Sequence, residues 1–203
     1  MTNETKMQHL GRVGLGYLVA GIGYLIFGFP FWFLNAVDIP PKGRTIFSFM
    51  FLVDKSFPYD FDFWLPFFSI LGLIVANISL WKSEEPMLQN GSRKWFCVPI
   101  IGSIFYFLGI WIIFPFTPLG AFLIAVGMII LGIITVKSKV WHGWRQFIIL
   151  MVVCYPFVFM YPIVILTGAR PPAMIGLWGF LWIAMGIAVW QRSKELNFKF
   201  QTK

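Results

Sequence analysis

Between Trp95 and Val136 the chain carries no Asp, Glu, Lys, Arg or His. That stretch is about twice the ~20 residues a helix needs to cross the hydrocarbon of a bilayer. In its middle, Pro115-Phe116-Thr117-Pro118 removes backbone donors and restricts each preceding residue. The stretch is therefore predicted to divide into two spans.

Four more apolar runs flank it. They are Val13 to Phe33, Phe63 to Trp81, Phe147 to Thr167 and Ala173 to Trp190, the last entered through Arg170-Pro171-Pro172. The expected spans are 13–33, 63–81, 95–114, 118–136, 147–167 and 173–190. The predicted fold class is an all-α integral membrane protein, with six transmembrane helices in a single domain over residues 1–203. Only 12% of the residues are charged, against about 25% in a soluble domain. No small-residue cleavage site follows the first run, so it reads as a retained helix rather than a signal peptide.

Lys and Arg set the expected orientation. With the N-terminus inside, the inner segments hold Lys6, Arg12, Lys82, Arg93, Lys94, Lys137, Lys139, Arg145, Arg192, Lys194, Lys199 and Lys203. The outer segments hold Lys42, Arg44, Lys55 and Arg170. The bias alternates correctly across every span and predicts both termini in the cytoplasm of a cell membrane. The net charge of +8 is then a topology signal, and no nucleic-acid partner is expected. Trp64, Trp81, Trp95, Trp141, Trp144 and Trp190 fall near span ends, where indole prefers the headgroup level. Trp111, Trp178 and Trp182 lie deeper and are expected to pack against neighbouring helices.

The outer connection from Leu34 to Asp62 is long. It contains a short apolar segment, Thr45 to Val53, read as interfacial or re-entrant. All four aspartates, Asp38, Asp54, Asp60 and Asp62, fall in this connection, interleaved with aromatics from Phe57 to Trp64. Three readings stand: a solvated loop on the membrane, a docking surface for a partner, or a hard-cation site. Asp54, Tyr59, Asp60 and Asp62 are the candidate contacts. The spacing of a calcium-binding EF-hand loop is missing, and no metal or cofactor is expected.

Glycines recur seven apart, two helical turns, so each set lies along one helix face. Gly14, Gly21 and Gly28 form one stripe, with Gly16 and Gly23 beside it. Gly102 with Gly109, Gly120 with Gly127, and Gly179 with Gly186 form others. Such stripes predict close helix packing in a membrane or, alternatively, a face that admits a ligand or another subunit. Gly23 to Gly28 also resembles Gly127 to Gly132, which raises the possibility of an inverted three-plus-three repeat. Helix five has no glycine, but Pro156 and Pro162 predict a kink or local break.

No span interior holds Asp, Glu, Lys, Arg or His. Proton-coupled carriers, pumps and voltage sensors keep such groups for use, so their absence argues against those classes. His9 and His142 lie outside the spans and are expected at headgroup level. Cys97 and Cys154 read as buried free thiols. Ser69, Asn77, Ser79, Ser103, Tyr106, Thr135 and Tyr155 are polar positions within spans. Asn77 is expected to make an interhelical hydrogen bond, or else to contact a bound substrate or cofactor together with Tyr155. No nucleophile–base set, metalloprotease motif or phosphate loop is present.

The expected function is a non-catalytic accessory or structural subunit. Its partners would be the lipid bilayer and other membrane subunits or a second copy. The alternatives are a small transporter, or the substrate-binding membrane component of one, and third a lipid-modifying enzyme.

Overall fold

In the computed structural model, residues 3–33, 61–83, 92–111, 116–167 and 171–201 are described. Among them the regular structure is entirely helical. Helix α1 covers Asn3–Phe33, α2 Phe61–Lys82, α3 Cys97–Trp111 and α4 Phe116–Ser138. Helix α5 (Arg145–Tyr155) runs through a π-helical stretch, Pro156–Met160, into α6 (Tyr161–Thr167), and α7 covers Pro171–Gln201. A 3-10 segment, Ser92–Phe96, leads into α3.

Three of these helices are long and apolar enough to cross a membrane, over Thr5–Gly28, Leu119–Ser138 and Met174–Phe198. Shorter apolar helices occupy Phe67–Lys82, Lys94–Gly109 and Arg145–Met160. Helices α1 and α7 have 31 residues each, about 46 Å at 1.5 Å per residue.

The helices pack in chain order, α1 on α2, α2 on α3, α3 on α4 and α4 on α5. Helix α7 packs on both α5 and α1, which closes the set into a ring. The α1–α7 contact is the most extensive. Its antiparallel register is set by residues seven apart on both helices. Gly14 meets Gly186, Gly21 meets Gly179, and the Ser193 hydroxyl donates to the Met7 carbonyl. A β-carbon on Gly21 would lie 2.6 Å from both the Gly179 carbonyl oxygen and the Ile183 amide nitrogen. Only a residue without a side chain lets the two backbones approach this closely.

The neighbouring stripe on α1 serves a different helix. A β-carbon on Gly16 would meet the Gly72 carbonyl at 2.7 Å and the Ala76 β-carbon at 2.9 Å, both on α2. Gly23 is buried. Helices α3 and α4 form another close pair, Gly102 against Gly120 and Pro99 against Gly127; Gly109 of α3 is buried. This register parallels the α1–α7 one. There, Gly21 and Gly28 face Gly179 and Gly176; here, Gly120 and Gly127 face Gly102 and Pro99. The structural correspondence pairs Gly28 with Gly127, whereas the local sequence similarity pairs Gly28 with Gly132.

Side chains fill the interior between α1 and α7. Tyr17 stacks on Trp182 at 5.4 Å between ring centroids, and Tyr24 stacks on Trp178 at 5.7 Å. The two indoles are themselves 5.4 Å apart. Tyr17 and Tyr24 are seven apart, three residues beyond Gly14 and Gly21. The glycine stripe thus seats the backbone while the adjacent stripe inserts large rings, as at the a and d positions of a coiled coil.

Several sequence expectations differ from the structure. Cys97 and Cys154 are exposed on the bundle surface, because helices apolar all round give no sequence signal for which face turns inward. Trp141 is 2% exposed and sits in the core rather than at an open interface. The local break expected in helix five occurs at Pro156, where a π-helical stretch interrupts the α-helix, whereas Pro162 lies within α6. Helix α7 continues a full 11 residues past Trp190, to Gln201. Asp54, Tyr59, Asp60 and the Thr45 to Val53 segment lie outside the described residues. Asp62 belongs to the first turn of α2, with its side chain outside the described set.

Candidate functional site

Polar groups inside an apolar bundle are the places to look for chemistry, because each must be satisfied or used. One chain of them crosses three helices. The Tyr17 hydroxyl of α1 donates to Asn77 Oδ1 of α2 at 2.8 Å. Asn77 Nδ2 donates to Ser103 Oγ of α3 at 3.0 Å. The Ser103 hydroxyl donates to the Pro99 carbonyl one turn earlier, at 2.7 Å. Asn77 is 1% exposed, and Tyr17 and Ser103 are fully buried. Both ends of the amide are therefore occupied within the protein. Tyr17 carried no polar flag in the sequence; its seven-residue spacing to Tyr24, in phase with the glycines, is the signal that could have found it.

A second pair of hydrogen bonds joins α5 and α7. The Tyr155 hydroxyl donates to the Met174 carbonyl at 3.0 Å, and Trp178 Nε1 donates to the Val152 carbonyl at 2.6 Å. In an α-helix the Val152 carbonyl would accept from residue 156. That residue is Pro156, which has no N–H to give. Trp178 supplies the donor that the proline withholds. Asn77 and Tyr155 are not brought to one site: Asn77 bonds α1 and α3, and Tyr155 bonds α7.

Thr135 turns back on its own helix, donating to the Leu131 carbonyl at 2.8 Å. Ser69 and Ser79 are buried. Trp182 Nε1 is buried without a hydrogen-bond partner among the described residues. Among those residues no group of three or more His, Cys, Asp or Glu gathers to hold a metal.

The charged cluster lies at one end of the bundle. Arg145 Nη1 is 2.7 Å from Glu195 Oε1, and Arg192 Nη1 is 3.7 Å from Glu195 Oε2. These contacts tie the start of α5 to the extension of α7. The connection from α4 turns through two left-handed residues, Lys139 and Gly143. A groove of ≈ 550 Å³ opens beside it, lined by His142, Trp144, Arg145, Gln191 and Lys194, with Glu195 at its wall. His142 is exposed there, whereas His9 is half-buried against the bundle.

The chain matches no protein-family model, no curated protein and no solved structure.

Proposed function

We propose that this chain is a non-catalytic, six-span protein of the cell membrane with both termini in the cytoplasm. It acts as an accessory or structural subunit that packs against other membrane proteins and lipid. The observation that carries this reading is the filled interior of the bundle, where the Asn77 amide is engaged at both ends. Tyr17, Tyr24, Trp178 and Trp182 occupy its interior. The amide most suited to grip a solute, Asn77, bonds its own neighbours. Apolar side chains meanwhile cover the outside, among them Leu15, Phe122, Met151 and Ile165, each more than 40% exposed. Such a surface is compatible with acyl chains or another membrane protein. The aromatic and acidic outer connection, with Asp54, Tyr59, Asp60 and Asp62, supplies a docking surface in this reading.

The test is purification of the tagged full chain from its native membranes in mild detergent. Other membrane proteins are expected to co-purify in fixed stoichiometry. Deleting Thr45 to Val53 should release them while the bundle stays folded. Recovery of the intact chain alone contradicts the reading.

A second reading, a small transporter or its membrane component, is favoured by two features. The α1–α7 and α3–α4 registers correspond as an inverted three-plus-three repeat would require. A π-helical stretch also interrupts α5, and such bulges are frequent at functional sites.

A further inference from the structure

The α5–α7 end of the bundle carries two adjoining open grooves. The larger, ≈ 550 Å³, is lined by Arg145, Lys194, Gln191, His142 and the Trp144 ring. The smaller, ≈ 170 Å³, shares Gln191 and Lys194 with it and is otherwise lined by Ile187 and Trp190. Ile187 is one turn further into the apolar part of α7. An open groove edged by cationic side chains therefore continues along the exposed outer face of α7.

We propose that this pair of grooves binds an anionic glycerophospholipid, its phosphate in the larger groove and the start of an acyl chain along the Ile187–Trp190 groove. The inference rests on the membrane-embedded reading above. Charge complementarity selects the headgroup. Glu195 is engaged by Arg145 and Arg192 together, so the local balance of Arg145, Arg192, Lys194 and Glu195 is positive. Lys194 lies over the Trp190 ring, 5.5 Å from its centroid. Its ammonium is thus held beside Trp190, where the two grooves adjoin. Trp144 and Trp190 are each about half exposed, as indoles that flank a headgroup are. Trp144 leaves the first amides of α5 without a side-chain cap, which adds donors at the same wall. Basic pockets between helices on the cytoplasmic side recognise acidic headgroups on these terms.

The full-length protein in maltoside micelles is titrated with dioleoyl phosphatidylglycerol or dioleoyl phosphatidylcholine, and bound lipid is read by native mass spectrometry. Phosphatidylglycerol is expected to be retained several-fold better. Lys194→Gln should lower its retention about five-fold, as expected for one charge at an anionic surface. Lys137→Gln, an exposed lysine outside the grooves, should leave retention unchanged. Equal retention of the two lipids, or equal effects of the two substitutions, overturns the proposal. Complete displacement of phosphatidylglycerol by millimolar glycerol 3-phosphate also overturns it, since the site would then take a free phosphate. A chain that stays soluble without detergent overturns the membrane reading as well, whereas equal lipid retention by a detergent-requiring chain overturns the lipid site alone.

Discussion

Trp178 donates its indole N–H to the Val152 carbonyl at 2.6 Å, the one acceptor that Pro156 leaves without its helical donor. A side chain of α7 thereby repairs a defect in the backbone of α5. It does so from within the aromatic column that fills the bundle.

Replacing Trp178 by Phe keeps a ring to stack on Tyr24 and removes the donor. The substitution is expected to destabilise the bundle by about 1 kcal/mol or somewhat more, the cost of leaving a buried carbonyl unpaired. Pro156→Ala restores a backbone N–H at that position. Trp178→Phe should therefore cost less on the Pro156→Ala background. Unfolding of the four proteins in mixed micelles completes the cycle, and strict additivity would show that the indole hydrogen bond does not stand in for the missing amide.

Gly21 and Gly11 make opposite predictions although they lie on the same helix. Alanine at Gly21 meets the Gly179 backbone and should destabilise by about 1–3 kcal/mol through overpacking; leucine at Gly21 should be worse. A β-carbon at Gly11 meets nothing within 4 Å, so Gly11→Ala should be neutral or stabilise by up to about 1 kcal/mol through helix propensity. Thermal melts of both variants in one detergent decide this. A Gly21→Ala melt no lower than that of Gly11→Ala would place the Gly21 stripe on lipid.

The Tyr17–Asn77 hydrogen bond links α1 to α2. Tyr17→Phe and Asn77→Leu are each expected to destabilise, with a coupling of about 0.6–1.7 kcal/mol between them. Tyr17→Phe should preserve the stack on Trp182, visible in the near-ultraviolet circular dichroism of the folded protein. A coupling of zero would mean that the two groups are satisfied independently.

Much of the architecture was legible because apolar length and glycine spacing are one-dimensional signals. The stripes Gly14–Gly21–Gly28 and Gly179–Gly186 could be read as packing faces. Which helix each stripe meets could not, because Gly16 turns to α2 while Gly14 turns to α7, and only the fold decides between neighbours. Asn77 was visible as a costly amide, but Tyr17 passed as one aromatic among many. Cys97 and Cys154 show the same limit. A helix apolar on every side, as suits a membrane, carries no polar face to mark its outside. The groove at His142 and Lys194 needed the fold most, since its walls come from segments about 50 residues apart.

Asn77 is the position at which a filled bundle and a water-filled conduit differ most. With Cys97 and Cys154 replaced by alanine, Asn77→Cys is treated with a membrane-impermeant maleimide, from each side of sealed membrane vesicles and then after denaturation in SDS. A cysteine at Lys139, exposed at the end of α4, serves as the reactive control. In a filled bundle, position 77 is labelled only after denaturation. Labelling of the native protein from either side would reveal a water-filled path to the middle of the bundle and contradict a filled interior.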